Sequence, residues 1–538
     1  MADTKREIER KYESDESGLP DLTGVAGVAS VIDKGVAELD AVYYDTPDER
    51  LAAASITLRR RTGGDDAGWH LKFPVSSGVR DEIRAPLSET LPRDLAGLVR
   101  SRVREAELVP LVRLRSTRDV RDLLDADGAL LAEVSVDAVH AERLTDGGRT
   151  AQWSEIEVEL ADDGDPAFLD KVEKKLRKAG VRPSASPSKL ARALRETAAV
   201  KKDKAKKSKA AKGKAAKDKA AKDKVAKGKG TKGKQGKKGK KGGGGSGKPG
   251  GAAEHVLAYI RVQRDAVVEL DPAVRRDLFD SVHSMRVATR RLRSTFKSYG
   301  KVLDRTVTDP IGEELKWLAG ELGVGRDHEV LAERVTEALA QMPESLVVGS
   351  VRTRVRTWVE AGSSGSRHAL IAALDGERYL TLLRTLDAVI AEPPLLKGAG
   401  GDPEKVIGKA VSRAFGKVSD LVEEGLAQPS GAERDLAMHE ARKKGKRARY
   451  AAEAATGLLG APAKQLVRDM KSLQSLLGDH QDSVMAREAL RDLAFQAGQA
   501  GESSFTYGVL YGREERRAEL AEAALPEAWR TITADSAF

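Results

Sequence analysis

Hydrophobic and polar positions change rhythm near the middle of the chain. Over residues 1 to about 198, the runs "ITLRRR", "WHLKF", "LVRLRS", "LLAEVSVDAV" and "WSEIEVEL" alternate apolar with charged residues, and "TGGDDAG", "DADG" and "TDGG" punctuate them. Alternation with period two predicts strands with one apolar and one charged face, joined by glycine-rich turns. Helical spacing intervenes at about 93–105 and 166–179, the second stopping at Gly180. From about 253 onward, apolar residues recur every three or four positions, which predicts helices throughout.

Residues 199–252 fit neither rhythm. Their lysine, alanine and glycine run holds no aromatic residue, and such a segment buries too little surface to fold. It predicts a disordered linker between two domains. Within it, "GKGTKGKQ" resembles a phosphate-binding loop, but it ends in Gln and lacks the flanking strand and helix, so it carries no assignment. The expected organisation is a strand-rich domain at 1–198, the linker at 199–252, a helical domain at 253–515 and a tail at 516–538.

The helical half repeats itself. "VHSMRVATRRLRSTF" at 282–296 is echoed by "MHEARKKGKRARYAA" at 438–452, and "LAGELGVGRDHEVL" at 318–331 by "LQSLLGDHQDSVMA" at 473–486. The histidines His283 and His439 are 156 residues apart and the aspartates Asp327 and Asp482 are 155 apart, so a tandem duplication of one helical unit is expected.

Charge sharpens this division. The formal net charge is +10, but residues 200–250 hold 21 Lys and 3 Asp, so the remainder carries −8. The basicity therefore belongs to the linker, where nonspecific contact with nucleic acid and a solubilising spacer are equal expectations. The chain has no cysteine, which excludes disulfides, thiolate metal sites and a cysteine nucleophile. No stretch approaches the roughly 18 apolar residues of a membrane span, and the start lacks the apolar core of a signal peptide. A soluble, cytoplasmic protein is expected, with no membrane partner.

The charged strand faces carry the candidate chemistry. In "REIERKYE", Glu7, Glu9 and Lys11 project together, with Ile8 opposite. Arg59 and Arg61 share a face, as do His70 and Lys72, Arg80, Glu82 and Arg84, and Arg113 and Arg115. Glu133 and Asp137 lie opposite Val134 and Val136, and Glu155, Glu157 and Glu159 lie opposite Ile156, Val158 and Leu160. Three glutamates in a row repel one another on a merely wetted face. Collected around a closed barrel, these strands would line a tunnel in which carboxylates suit Mg²⁺ or Mn²⁺ and cations suit phosphate. A sheet with one solvated face is the competing expectation.

The segment "EIERK" resembles the ExExK signature of the CYTH superfamily, the triphosphate tunnel metalloenzymes. "YYDTPDERL" (43–51), "LRRR" (58–61), "WHLK" (69–72), "RDE" (80–82), "AEVSVD" (132–137), "EIEVEL" (155–160) and "SPSKL" (186–190) follow in the family's order. The resemblance implies an α+β domain built on a closed eight-stranded antiparallel barrel that binds triphosphate compounds with a divalent metal. It implies Glu7, Glu9, Asp137, Glu157 and Glu159 on the metal side, and Lys11, Arg59, Arg61, Lys72, Arg84, Arg115 and Lys189 on the phosphates. Arg80 and Arg118 are placed less firmly. Lys72, Tyr44 and Lys11 take catalytic roles, Lys72 and Tyr44 matching a pair that activates water in some members. The family includes triphosphatases, thiamine triphosphatases and adenylate cyclases, and these motifs are common to all three.

In the second half, His283, Arg286, Arg290, Arg293 and Lys297 fall at steps of three and four residues and form one stripe on a helix. His439, with Arg442 or Lys443, Lys446 and Arg449, does the same in the repeat. Cations dominate both stripes, so a polyanion is a better guest than a metal. This region resembles the CHAD domain, an all-α domain named for its histidines, and that resemblance implies binding of inorganic polyphosphate. The expected whole is a metal-dependent triphosphatase with a polyphosphate-binding helical domain. A non-catalytic polyphosphate adaptor and a nucleic-acid-associated protein are the alternatives.

Overall fold

A computed structural model of the chain describes residues 3–14, 18–145, 147–198, 251–363, 366–534 and 536–538. Two compact units divide the chain between residues 246 and 247. The expected linker at 199–252 lies almost wholly outside the described residues.

The first unit is a ring of antiparallel strands: β1 (Asp3–Ser14), β2 (Ser30–Asp45), β3 (Thr57–Thr62), β4 (Gly68–Ser76), β5 (Val79–Pro86), β6 (Val109–Leu124), β7 (Leu130–Arg143) and β8 (Thr150–Leu160). The spatial order is β5-β4-β3-β2-β6-β7-β8-β1, and pairing of β1 with β5 closes it. A two-residue β9 (Arg182–Pro183) adds to β1. The turn between β3 and β4 needs glycine: Gly63 has φ 79°, and a Cβ there would sit 2.0 Å from the Glu38 carbonyl oxygen.

The apolar strand faces point outward and are covered by helices. Leu58, Leu71 and Ile83 pack under α2 (Arg93–Val103), and Tyr12, Ile156 and Val158 pack under α3 (Ala167–Lys178). Each such side chain contributes about 1.5–3 kcal/mol when fully buried. A short α1 (Arg50–Ala53) precedes β3. At one end the rule inverts. Ala41, Tyr43, Leu114, Val139 and Trp153 turn inward and pack against Leu190 and Ala193 of α4 (Lys189–Glu196). The Ser188 side chain caps α4 by accepting from the Ala191 N–H, which fixes the helix start at the tunnel.

The second unit is helical: α5 (Ala252–Arg275), α6 (Ser281–Ser298), α7 (Arg305–Glu321), α8 (Val324–Ala340), α9 (Val351–Ser363), α10 (Ser366–Asp375), α11 (Glu377–Ala391), α12 (Pro403–Ala427), α13 (Ala432–Leu459), α14 (Ala461–Gln499) and α15 (Phe505–Ala534). The duplication is visible in this order, with α5, α6 and α7–α8 matched by α12, α13 and α14. The second copy runs as one helix where the first breaks at Leu322 and Gly323. A large core joins Leu257, Met285, Leu292 and Phe296 to Met438, Ala448 and Leu473. The segment read as a tail is part of this packing: α15 runs through it, and Leu525, Trp529 and Ile532 are core residues.

Candidate functional site

Strand register carries one charged residue after another into the barrel. Glu7 pairs with Arg80, Glu9 with Glu159, Lys11 with Glu157, and Asp137 with both Arg118 and Glu155. Directly paired residues share a face, so all of these point inward. All of them except Asp137 and Glu155 line a tunnel of about 260 Å³ together with Lys5, Tyr43, Arg59, Arg61, Asp66, Lys72, Glu82, Arg84, Glu133 and Lys189. Nine of the lining side chains are cationic and seven are carboxylates, and Asp137 and Glu155 lie buried just behind them.

The charges are segregated. Strands β3, β4 and β5 supply Arg59, Arg61, Lys72, Arg80 and Arg84, a mainly cationic wall in which the one strand carboxylate facing the tunnel among the described residues, Glu82, is paired with Lys72 and Arg84. Strands β7 and β8 supply Glu133, Asp137, Glu155, Glu157 and Glu159, an acidic wall. Strand β1 runs between them with both signs.

Ion pairs knit the walls together. Lys72 Nζ lies 2.5 Å from Glu7 Oε2 and 3.3 Å from Glu82 Oε1. Lys11 bonds Glu9 at 2.9 Å and also bonds Glu157. Arg118 forks onto Asp137 with two bonds of 2.8 Å and reaches Glu157 at 2.7 Å. Glu82 also takes Arg84 and His70, the latter at 2.9 Å.

Electrostatics distinguishes the carboxylates. Burial pushes the Glu7 carboxyl up to about 7; Lys72 opposes this, while Glu82 and Glu159 add repulsion. Glu157 is buried too, but Lys11, Lys189 and Arg118 hold it well below the usual carboxylate range. His70 is lowered to about 4 by burial and by Arg59 and Arg61, against the Glu82 bond, so it is neutral at pH 7. Burial disfavours the Tyr43 phenolate, yet Arg59, Lys189 and Lys72 bring the group below its ordinary value.

Among the described residues, one tight carboxylate group in the barrel is Asp137, Glu155 and Glu157. The Lys189 ammonium sits within it, 3.0, 2.9 and 2.5 Å from the three side chains. A metal ion suits that group poorly, because a fixed cation already takes its oxygens. Glu7, Glu9 and Glu159 are also inward oxygen ligands of the kind a hard divalent ion takes, each hydrogen-bonded to a different lysine, Lys72, Lys11 and Lys5, rather than to one shared ammonium.

Most residues singled out from the sequence face this tunnel: Glu7, Glu9, Lys11, Arg59, Arg61, Lys72, Arg84, Asp137, Glu157, Glu159 and Lys189. Two do not. Tyr44 pairs with Leu58 on the outer face and stacks on Trp69 at 5.1 Å, while Tyr43 turns inward and accepts a bond from Arg59 at 3.3 Å. Arg115 is exposed on the outside, paired with Asp40 and His140. Its neighbours Leu114 and Ser116 point inward because the plugged end of the barrel is apolar, so charge there marks the wet outer face. Arg118, three residues on, is the inward arginine of β6. Sequence reasoning also left Glu82, Asp66 and Glu155 without roles, although the alternation in "RDE" and "EIEVEL" places Glu82 and Glu155 inward.

In the helical unit, α6 and α13 pack together, tied by Tyr299 Oη donating to the Ala451 carbonyl at 2.8 Å and Arg447 to the Lys297 carbonyl at 2.6 Å. Their basic stripes converge. Lys446 is lowered to about 7 by burial and by repulsion from Arg442, Arg290 and Arg286, drawn from both helices. His439 is lowered by burial and by Lys443. Arg293 and Lys297 continue the α6 stripe, 3.7 and 4.0 Å from Glu313. His283 lies half-buried on the same face.

The two alternatives on α13 point in different directions. Arg442 turns into the groove, 3.7 Å from Asp482, whereas Lys443 is exposed and bonds Glu440 at 2.7 Å. Arg449 is on the stripe but leans on Glu453 at 3.4 Å and covers Tyr450.

The duplicated glycines have a reason. A Cβ on Gly323 would lie 2.8 Å from Arg286 Nη2, and one on Gly478 would lie 3.1 Å from Arg442 Nη2. Each stripe arginine therefore lies across the glycine of its own repeat.

Comparison with known proteins agrees with this two-part construction. The CYTH domain family matches residues 5–194 and the CHAD domain family matches residues 258–491. The uncharacterized protein Rv2226 of Mycobacterium tuberculosis (strain ATCC 25618 / H37Rv) is 36% identical over 540 residues, covering 96% of this chain and 95% of its own. Similar solved structures include PptA from Streptomyces chartreusis, at 20% identity and TM-score 0.45 over 52% of this chain and all of that one. The CHAD domain of the plant Ricinus communis is 25% identical, with TM-score 0.39 over 53% of this chain and 92% of its own. With a CYTH domain followed by a CHAD domain, the chain belongs to the CYTH–CHAD family, of the triphosphate tunnel type.

Proposed function

We propose that the barrel hydrolyses inorganic triphosphate, or a closely related triphosphate, with Mg²⁺ or Mn²⁺, and that the helical unit binds inorganic polyphosphate. The observation that carries this reading is the opposition of a cationic and an acidic wall in one enclosed tunnel. An anionic chain alone would meet the acidic wall unfavourably; one that brings divalent cations satisfies both walls.

Arg59, Arg61, Lys72, Arg80 and Arg84 hold the phosphate oxygens and neutralise charge developing on the leaving group. Glu7, Glu9 and Glu159 would hold the metal, with Glu157 beside them. A divalent ion there supplies charge neutralisation on the oligophosphate and a more acidic bound water. Lys11, Arg118 and Lys189 keep Asp137 and Glu157 ionised, and Lys189 fixes Glu155 in place. Tyr43, its phenol made more acidic by Arg59, Lys189 and Lys72, is the tyrosine placed to hold a proton near the attacked phosphorus. Tyr44 has no such role.

Among the described residues, the cations of the groove outnumber its carboxylates, which supports binding of a long polyanion without cleavage. A panel of tripolyphosphate, ATP, thiamine triphosphate and long-chain polyphosphate, each with Mg²⁺ and Mn²⁺, tests the reading by orthophosphate release. Preferred release from tripolyphosphate supports it, and metal-independent binding without release would leave the adaptor alternative.

A further inference from the structure

A second cluster of metal-type ligands lies in the helical unit, apart from the residues of the basic groove discussed above. Asp435 in the first turn of α13, His480 on α14 and Glu522 on α15 bring one ligand atom each within 4.8 Å of one another. His480 is 1% exposed. Its Nε2 lies 3.1 Å from Asp435 Oδ1 and 3.4 Å from Glu522 Oε1, yet it makes no hydrogen bond. At such distances a ring N–H aimed at either oxygen would form one, so neither oxygen lies along the ring's N–H axis.

The spacing suits shared ligation. Donors about 2.1 Å from one ion stand about 3.0 Å apart at octahedral angles and about 3.4 Å apart at tetrahedral angles. Glu522 is also oriented from behind. Its other oxygen, Oε2, accepts a bond from Ser430 Oγ at 2.7 Å and lies 3.4 Å from Arg434 Nη1, leaving Oε1 to face the imidazole. Outer partners of this kind fix a ligating carboxylate. The Asp435 side chain is partly exposed, which leaves a path for an ion and for water ligands. One imidazole with two carboxylates favours Zn²⁺ over Mg²⁺, since Mg²⁺ prefers oxygen donors alone.

We propose that Asp435, His480 and Glu522 form a Zn²⁺ site that staples α15 to α13 and α14. Asp435 stands one turn before His439, and His480 two residues before Asp482, which faces Arg442. The staple thereby also sets the register of α13, which presents the second basic stripe, against α14, which carries Asp482. It is separate from the divalent ion proposed for the tunnel, whose ligands would be oxygens.

The test loads the full-length protein with one equivalent of Zn²⁺ under excess Mg²⁺, which fills oxygen-only sites. X-ray absorption at the zinc edge then reads the ligands, and competition with a chelator reads affinity. The expected result is imidazole nitrogen plus oxygen donors around zinc, retained in a His283→Ala/His439→Ala variant. His480→Gln should lose the imidazole signal. Asp435→Asn/Glu522→Gln, which keeps the buried ring should His480→Gln fail to fold, should weaken zinc by about tenfold or more. Zinc without an imidazole ligand in the wild type, or equal affinity in the Asp435→Asn/Glu522→Gln variant, would overturn the site.

Discussion

In the barrel, cations face a nearly equal number of carboxylates across a tunnel; in the helical unit, Arg286, Arg290, Arg442 and Lys446 crowd together, with Asp482 beside them. The contrast shows in two groups pushed to the same value for opposite reasons. Glu7 rises to about 7 through burial and neighbouring carboxylates, and Lys446 falls to about 7 through burial and neighbouring arginines. The tunnel therefore gains from an added cation and the groove from an added anion. A metal-bearing triphosphate fits the first, and a bare polyanion fits the second.

The largest effect expected is in the tunnel. Lys72→Met removes the cation between Glu7 and Glu82 and should lower triphosphate turnover by about 10²–10³-fold, read by phosphate release, with metal present throughout. Next comes the groove. Joint His283→Ala, Arg290→Ala, His439→Ala and Arg442→Ala should weaken long-chain polyphosphate binding by about a hundredfold, and rising salt should weaken wild-type binding in the same assay. If tripolyphosphate turnover fell in parallel in this variant, the two sites would not be separate and the comparison would break.

Two effects of about tenfold sharpen it further. Bound polyphosphate favours the charged form of Lys446, so binding takes up a proton, and affinity should fall about tenfold as pH rises from 6 to 8. Lys446→Met should flatten that profile. In the barrel, Tyr43→Phe should slow turnover about tenfold and Tyr44→Phe should leave it unchanged. The reverse order would return the catalytic role to Tyr44.

The smallest effect concerns stability. Glu7 binds its proton more tightly folded, at about 7, than unfolded, near 4.5. Stability is therefore lost as pH rises from about 4.5 through about 7. Glu7→Gln removes that loss, so at pH 8 without metal its thermal midpoint should rise by about 2–4 °C.

Period-two alternation made most of this legible beforehand. On β1, β3, β4, β5 and β8 the apolar face packs under helices or on the barrel wall, so the charged residues had to point inward. On β6 the same logic failed for a definite reason. The tunnel is plugged at one end by α4, so Leu114 turns inward and Arg115 faces water, and a local pattern does not reveal which end of a strand is plugged. Adjacent tyrosines posed a similar ambiguity: 43 and 44 differ by one step of register, and only the pairing of Tyr43 with Arg59 decides between them. The helical repeat was legible in its histidines and arginines, and the purpose of Gly323 and Gly478 emerged only once Arg286 and Arg442 were seen to cross them. The Asp435, His480 and Glu522 cluster joins three helices and has no spacing signature in the chain.

A metal-dependent triphosphatase in the two-walled tunnel is the proposal on which the rest depends. Its most direct measurement is orthophosphate release from tripolyphosphate by the full-length protein, with and without Mg²⁺ or Mn²⁺, beside Glu159→Gln. The expected result is release that requires the metal and falls sharply in Glu159→Gln, with half-saturation shifted to higher metal concentration. Release that persists in chelator, or no release with either metal, would contradict it.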